Sequence, residues 1–507
     1  MTVQALSTAI SGLRVAQLQL DTTARNTANV STPGYTRKNL PIESFFTGNI
    51  AGGARAGELE RYVDQALQRD LWAQQSLSHF HETKASMLDR VQRLHGSPED
   101  QNSIASSLSQ LNAAFNTLTT SPESELNHSD TLNKALATAR QFNSLSEEIT
   151  KLRNDAQTQI DETVDRINTN LERFAKLNQS IAAENANGRS DVALLDQRDE
   201  VVKELSKDLE ISQFTRGDSV MVLQSKTGRL LADTQAQSLS FTESPVNFDS
   251  VHPGTFDGSI RLSDGTPGTD LTQESIGGRL GALVQVRDTD LPRQQAQLDE
   301  LAFRTAQRLE NAGLQLFVDD RTGDMPVDAA GSYVGFSAHI AVEQAIVDAP
   351  RLVRDGFTPA APPPHAAPPA PTAADLGDNT VPLDIVNQAF GEFAGAGPPP
   401  VAHPTFNTTG LGPAGANLST DLPATATLED YAKNMIVKQA EDHSIAEQAH
   451  EFEADFFETL EQRFLNESAV DLDEEVAQLT ELQNSYSSSA RMIQTLQEMF
   501  DQLLNSV

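Results

Sequence analysis

The sequence contains no cysteine and few basic residues. Without cysteine it can form neither a disulfide nor a thiolate metal site. Lys and Arg total 37 against 71 Asp and Glu, which gives a formal net charge of −34. A surface this acidic repels nucleic acid and anionic membranes. No apolar run approaches the length of a membrane span, and the first residues lack the basic segment and apolar core of a secretory signal. We therefore expect no nucleic-acid partner and no membrane insertion.

The sequence also lacks a catalytic or metal-binding motif. A zinc protease helix needs two His one turn apart, and the segments 81–85 and 450–454 each begin with His-Glu. Ala85 and Ala454 stand where the second His is required. Residues 319–324 resemble a calcium loop but lack oxygen ligands at its third and fifth positions, which predicts a plain turn. We therefore predict that the protein is not an enzyme and has no catalytic residue, metal site or cofactor.

Two amphipathic segments, residues 1–37 and 468–507, stand at opposite ends of the chain. Their apolar residues recur in an alternating three- and four-residue step, which predicts one apolar stripe on each of two helices. A single stripe has nothing to bury against, so we expect the two ends to pack on each other and on neighbouring copies. The residues that we expect at this assembly interface are Leu6, Ile10, Leu13, Leu20, Leu472, Val476, Leu479, Tyr486, Ile493, Phe500 and Leu504.

Long helices are predicted between the two ends. The apolar spacing predicts a helix from about Glu58 to Leu94 and one of on the order of 85 Å from about Asp130 to Asn187. Ser97 followed by proline and two acids reads as a further helix start. Residues 219–232 alternate around a Lys-Thr-Gly turn, which predicts a β-hairpin.

Residues 350–427 have a different composition. Fifteen of the chain's 24 prolines lie between Pro350 and Pro423. Runs of adjacent prolines favour extended segments over helix. We interpret this stretch as either an irregular surface insertion or a small outer domain, and we expect a short linker in its place to be tolerated.

These patterns predict a mainly α, elongated fold with nested domains. The expected inner domain is a coiled coil of the two chain ends. A long helical body with a small β element near 211–262 follows, and the Pro-rich stretch lies outermost. The corresponding ranges are 1–45 with 468–507, 46–349 with 428–467, and 350–427.

The chain ends resemble those of bacterial flagellar rod, hook and hook-associated proteins. At the N-terminus the similar stretches have the sequences ALSTAISGL, DTTARNTAN and STPGYTR, and at the C-terminus they are VDLDEEVA, SSSARMI and EMFD. Both sets occur on one chain in the expected order. The ranges are 5–13, 21–29 and 31–37, then 470–477, 487–493 and 498–501.

Two internal stretches, 194–205 and 277–288, are similar to the hook-associated branch of this family rather than to rod and hook proteins. The resemblance implies a structural protein of the extracellular flagellum at the junction of hook and filament. It also implies the partners: hook protein, a second junction protein, copies of itself in a ring, and an export chaperone on the C-terminal helix. Export would use the flagellar type III system, with terminal segments that become helical on stacking into the axial tube.

Two alternative interpretations stay open. The chain could be a rod- or hook-type axial subunit, which the long helical body argues against. It could also be an enzyme on a flagellum-like scaffold, with its active site in 350–427. That segment offers only the scattered His365 and His403 and few acids.

Overall fold

A computed structural model describes residues 2–47, 50–187, 191–217, 220–263, 270–274, 276–329, 331–359, 375–395, 401–413 and 416–505. The helices are α1 (Thr2–Ala28), α2 (Gln65–His95), α3 (Ile104–Thr120), α4 (Glu125–Ala186), α5 (Val192–Asp208), α6 (Gly278–Gln285), α7 (Leu291–Asn311), α8 (Phe336–His339), α9 (Gln344–Asp348), α10 (Leu352–Asp355), α11 (Thr380–Asp384), α12 (Leu428–Ser468) and α13 (Leu472–Asn505). A π-helical segment, Val286–Asp290, joins α6 to α7, and a second, Ile385–Ala389, follows α11.

The strands are short and form small antiparallel sheets. They are β1 (Lys38–Asn39), β2 (Ile42–Thr47), β3 (Ile50–Ala56), β4 (Glu60–Arg61), β5 (Ile211–Thr215), β6 (Met221–Ser225), β7 (Leu230–Ala232), β8 (Leu239–Ser240), β9 (Arg261–Leu262), β10 (Phe317–Asp319), β11 (Ile340–Val342), β12 (Phe393–Gly395) and β13 (Val401–Ala402). The predicted mainly α fold is confirmed. None of the helices in the described ranges combines the length and apolar character needed to cross a membrane.

Helix α4 is the longest element and organises the body. Its 62 residues extend for about 90 Å at 1.5 Å per residue. It begins after Ser124, whose hydroxyl accepts a hydrogen bond from the Asn127 amide, five residues before the predicted start. Ile160, Ile167 and Phe174 recur every seven residues and are completely buried. This stripe therefore provides one continuous apolar face along the helix.

Two apolar cores lie along α4. Its first half packs in one core with α3, α7 and the start of α12. Its second half packs in the other with α5, α6 and strands β6 and β7, and Trp72 of α2 joins this second core. Helix α12 lies along α2, so the late part of the chain returns to the body. Helices α1 and α13 also pack on each other, and the predicted pairing of the chain ends is confirmed.

The predicted β-hairpin is confirmed and belongs to a three-stranded sheet, β5–β6–β7. Its turn contains Gly228 at φ 86°, a left-handed conformation that glycine adopts at little cost. Strand β5 is absent from the prediction because its sequence, Ile-Ser-Gln-Phe-Thr, has only a short alternation next to a helix end.

The stretch after α1, which the sequence leaves without regular structure, forms the hairpin β2–β3 and packs on α1. The Ser11 hydroxyl accepts a hydrogen bond from the Ala54 amide at 3.2 Å. Gly53 lies beside it with φ 119°, and a Cβ there would be 2.3 Å from the Ser11 oxygen. Only glycine allows the strand to approach the helix this closely.

The predicted start of α2 is wrong by seven residues. The helix begins at Gln65 rather than at Glu58, because Glu60 and Arg61 instead form strand β4 against β1. Asp64 caps the helix, since its carboxylate accepts the Ala66 amide at 2.8 Å.

The predicted helix start at Ser97 is also wrong. Residues 97–101 form turns, and α3 begins at Ile104. Ser103 is the N-cap, and its hydroxyl accepts a hydrogen bond from the Ser106 amide at 3.1 Å. Pro98 therefore belongs to the turn before the helix and not to its first position.

The described parts of 350–427 are not confined to the surface. Phe357, Ile385, Phe390, Phe406 and Leu422 are buried in the same core as the first half of α4. The adjacent prolines at 362–364, 368–369 and 398–400 lie outside the described residues. The expectation that a short linker could replace this stretch neglects these core contacts. The division of the chain into three domains stays a prediction.

Candidate functional site

The chain ends form a helix pair with a core of small residues. In α1, Ala9, Ala16 and Thr23 recur every seven residues and are buried. In α13, Leu482 and Glu475 are the buried positions. Small side chains let helices approach closely but bury little apolar area. The pair therefore leaves many of its larger apolar side chains half-buried or exposed.

Pairing of α1 and α13 buries the predicted interface residues only in part. Ile10 (49% exposed), Leu472 (45%), Val476 (55%) and Tyr486 (37%) face solvent. Six others are half-buried: Leu6, Leu13, Leu20, Leu479, Ile493 and Phe500. The side chain of Leu504 lies outside the described part of the chain. Their role in an assembly interface stays a prediction.

Three exposed apolar residues of the pair were missed by the sequence analysis. Leu18, Met492 and Met499 are 44%, 56% and 46% exposed. Met492 and Met499 are seven residues apart, and each directly precedes a residue of the predicted stripe, Ile493 or Phe500. The same heptad spacing would therefore have identified them. Exposed apolar groups concentrated on one helix pair are typical of protein–protein contact surfaces.

A buried polar node joins this helix pair to the body. We use this name for Asn26, Tyr35, Arg37, Lys38, Arg61, Asp196, Asp199 and Glu475. Asn26, near the end of α1, is 1% exposed, and both the oxygen and the nitrogen of its side-chain amide form hydrogen bonds. Its oxygen accepts hydrogen bonds from the Tyr35 hydroxyl at 3.0 Å and the Lys38 amide at 3.1 Å. Its nitrogen donates to the Lys38 carbonyl at 2.9 Å and to Glu475 Oε2 at 3.2 Å.

Glu475, in the first turn of α13, is completely buried. Its Oε1 accepts a hydrogen bond from Arg37 Nε at 2.8 Å. The same guanidinium reaches Glu474 Oε1 at 2.9 Å, and the Arg37 amide donates to the Ser468 carbonyl at 2.8 Å. The start of α13 is also capped, because the Asp471 carboxylate accepts a hydrogen bond from the Asp473 amide at 2.9 Å.

The node continues into the body through α5. Asp196 accepts a hydrogen bond from the Thr36 hydroxyl at 2.7 Å and pairs with Lys38 and with Arg61, the latter at 3.0 Å. Arg61 also pairs with Asp199 at 2.8 Å. The loop after α1 is therefore held on α5 by charged groups that are almost entirely buried.

Burial and ion pairing act in opposite directions on the cations of the node. Burial lowers the pKa of Lys38, and the hydrogen bond to Asp196 offsets only part of that effect. Burial also acts to lower the pKa of Arg61, but Asp199 and Asp196 outweigh it, so the pKa is raised. Arg37 behaves in the same way because Glu474 and Glu475 surround it. Each charge is thus maintained by its partner and not by water.

The sequence analysis did not find this node. It used the stretches 21–29, which contains Asn26, and 194–205 only as points of resemblance. A usable signal was present, since Arg37 and Lys38 are adjacent cations, and Asp196 and Asp199 have the three-residue spacing that places two side chains on one face of a helix. Which acids meet which cations depends on contacts between segments more than 100 residues apart, and spacing alone does not provide these.

Within the described ranges, the other motifs considered in the sequence analysis form no metal site. No group of three or more His, Asp or Glu there could hold a metal ion. Residues 319–324 form the plain turn that the sequence predicts, since the Gly323 amide donates to the Asp319 carbonyl at 2.7 Å. The Asp319 carboxylate forms an ion pair with Arg321, and its Oδ2 lies 2.6 Å from Arg321 Nη2.

Models of flagellar rod proteins match both ends of the chain. The model described as flagella basal body rod protein matches residues 6–36, which are α1 and the loop after it. The model described as flagellar basal body rod FlgEFG protein C-terminal matches 461–506, which includes α13. Both ends of the chain are therefore similar to those of proteins of the bacterial flagellar rod, hook and hook-associated class.

The body is similar to one branch of this class. The model described as flagellar hook-associated protein FlgK helical domain matches residues 88–319. Flagellar hook-associated protein 1 of Bacillus subtilis is 27% identical over 263 residues, which are 49% of this chain and 52% of that protein. The protein of the same name in Salmonella typhimurium is 24% identical over 314 residues, covering 59% and 54%. Over its body the chain is therefore similar to flagellar hook-associated protein 1.

The chain spans about half the length of the curated relatives that it matches. Among solved structures, one titled "The structure of the flagellar hook junction protein FlgK from Burkholderia pseudomallei" is similar. It has a TM-score of 0.43 and 24% identity, and covers 51% of this chain and 45% of that chain.

Proposed function

We propose that this protein is a structural component of the bacterial flagellum that joins hook to filament. Its terminal helices would assemble with those of neighbouring copies into the axial tube. The observation that carries this proposal is the α1–α13 pair, which leaves Ile10, Val476 and Tyr486 exposed. Apolar side chains at these positions gain free energy when a neighbouring subunit removes them from water.

The proposed location is extracellular, at the junction of hook and filament, after export by the flagellar type III system. The proposed partners are hook protein on one side, a second junction protein on the other, and copies of this chain in a ring. An export chaperone would bind the C-terminal helix before secretion. Similarity to hook-associated protein 1 supports these proposals, and the apolar residues on α13 supply a surface that a chaperone would need to cover.

We propose no enzymatic activity. The relatives are named as hook-associated proteins, and the described part of 350–427 contributes apolar side chains to the core rather than a cluster of reactive groups. An enzyme on a flagellar scaffold is therefore the weaker alternative. A rod or hook subunit is also weaker, because the match over 88–319 is to the helical domain of a hook-associated protein.

The test is a single substitution on the uncovered face, Val476→Asp. Val476 is 55% exposed and lies in the first turns of α13, where an added acid does not disturb the isolated fold. We expect normal secretion and a normal circular dichroism spectrum, but bald hooks and no swimming, because the carboxylate would be buried between subunits. Asn484→Asp, at an exposed position of α13 that lies off the apolar stripe, is the control and should swim normally. Filaments on the Val476→Asp strain would contradict an assembly role for this face.

A further inference from the structure

The junction between α12 and α13 is three residues long. Helix α12 lies along α2, whereas α13 lies along α1, and only residues 469–471 separate them. A link this short sets the distance between the helices but leaves their angle to other contacts. The angle determines where the terminal pair points relative to the body, which matters for stacking into a tube.

The node supplies contacts that can fix this angle. It gathers Asn26 from α1, Arg37 and Lys38 from the following loop, Asp196 from α5 and Glu475 from α13. The backbone takes part as well, since the amide of the loop residue 37 donates to the last carbonyl of α12. Each segment that meets at the joint therefore contributes a hydrogen bond.

Glu475 makes these contacts mutually dependent. Its carboxylate is completely buried and has two charge-assisted partners, Arg37 on Oε1 and Asn26 on Oε2. If α13 swings away from α1, the carboxylate loses both partners, and Arg37 loses its buried anion. A buried charge without partners is strongly unfavourable. Small changes of angle are therefore resisted, and the joint is either formed or open.

We propose that Asn26 and Glu475 are positioning residues that fix the angle at which the terminal helix pair leaves the body. They couple the order of the first turns of α13 to the docking of loop 30–38 on α5. This proposal deepens the proposed function, since it names the residues that orient the assembling helices. It concerns the isolated chain, in which α1 and α13 are already helical and paired, whereas the resemblance implied that they become helical on stacking. Its test therefore does not depend on flagellar assembly.

The test is hydrogen exchange on the purified full-length chain. In the wild type, residues 471–482 should be protected and exchange more slowly than the distal part of α13. Glu475→Gln should raise the exchange rate in 471–482 and in 30–38 by about tenfold, because the neutral amide places a donor against Arg37 or Asn26. Glu474→Gln is the matched control: Glu474 is 59% exposed, and its loss should change exchange by less than about twofold.

A reversal experiment separates positioning from general loss of stability. Asn26→Asp puts a second carboxylate beside Glu475 and should also raise exchange by about tenfold. The double variant Asn26→Asp with Glu475→Gln returns one donor and one carboxylate to the pair but not the hydrogen bond to the Lys38 carbonyl, and should exchange more slowly than either single variant. Fluorescence of the single tryptophan, Trp72, follows unfolding of the body and should give the same midpoint in all variants.

Three results would overturn the proposal. The first is that residues 471–482 are unprotected in the wild type. The second is that Glu475→Gln and Glu474→Gln behave alike. The third is that the double variant exchanges faster than either single variant. None of these results bears on the proposed function, which the swimming assay of Val476→Asp tests independently.

Discussion

Single buried carboxylates hold loops of this protein on its helices, and Asp299 of α7 is a second example beside Glu475. Asp299 accepts hydrogen bonds from the amides of Gly335 at 2.8 Å and Ser337 at 3.0 Å, and from the Ser337 hydroxyl at 2.6 Å. These bonds hold the turn before α8 against α7. Burial raises the pKa of Asp299 to about 6, against the lowering effect of its hydrogen bonds.

The raised pKa predicts a pH dependence of stability. Because the folded state binds the proton of Asp299 more tightly than the unfolded state, its contribution is present below about pH 4 and is lost as the pH rises through about 6. The Asp299→Asn variant cannot titrate at this position. We expect the free energy of unfolding of the wild type, relative to the variant, to fall between about pH 4 and 6. Urea unfolding at several pH values measures it, and a constant or rising difference would contradict the prediction.

Glycine has a steric role at one point of the second core. Gly278 begins α6 with φ 57°, and a Cβ there would lie 2.5 Å from the backbone of Asp208 and Leu209. Gly278→Ala should therefore destabilise the body by about 3 kcal/mol, from backbone strain and overlap together. Gly228→Ala is the control, since Gly228 also has a left-handed φ but nothing within 4 Å. It should cost about 1 kcal/mol.

Urea unfolding followed by Trp72 fluorescence compares the two glycine variants, because Trp72 lies in the same core as the start of α6. Equal losses would show that the close approach of α6 to the end of α5 contributes nothing beyond backbone strain.

At the scale of elements, periodicity predicts long helices well and their surroundings poorly. The α4 stripe of Ile160, Ile167 and Phe174 is visible in the sequence because every turn buries the same face. Strand β4 is not visible, because two residues, Glu60 and Arg61, become a strand only by pairing with β1. The start of α2 is misplaced for that reason. Local propensity was overridden there by contacts with the loop after α1.

The late segment 350–427 illustrates the same limit. Its prolines dominate the composition, but Phe406 is 1% exposed and stacks on Tyr431 of α12 with ring centroids 3.9 Å apart. The Arg308 guanidinium also lies over the Phe406 ring, 4.9 Å from its centroid. Isolated aromatic residues in a Pro-rich stretch give no periodic signal, so the sequence could not place them in the core.

Phe406→Ala tests whether this segment stabilises the helical body. We expect a loss of about 3–5 kcal/mol, because the ring fills a buried site between α7 and α12. Val327→Ala, at a position that is 68% exposed, should change stability by less than about 0.5 kcal/mol. Thermal unfolding followed by circular dichroism measures both. An unchanged transition in Phe406→Ala would support the interpretation of 350–427 as a dispensable insertion.

At the scale of the whole molecule, the pairing of the chain ends could be predicted because two apolar stripes had no other partner. The node that joins them to the body could not, because Asn26, Asp196 and Glu475 come from three distant parts of the chain. Six of the eleven predicted interface residues are half-buried in the single chain and four are exposed, and subunit assembly would cover this remaining exposure. The proposed function therefore depends on contacts between this chain and neighbouring subunits of the flagellum.

The central claim is that this chain joins hook to filament, and electron microscopy of a deletion strain tests it most directly. We expect intact hooks without filaments in the strain that lacks the chain, and filaments restored by the wild-type gene supplied in trans. Filaments of normal number in the deletion strain would contradict a junction role. Absence of hooks as well as filaments would contradict it too, and would instead support the rod- or hook-subunit alternative.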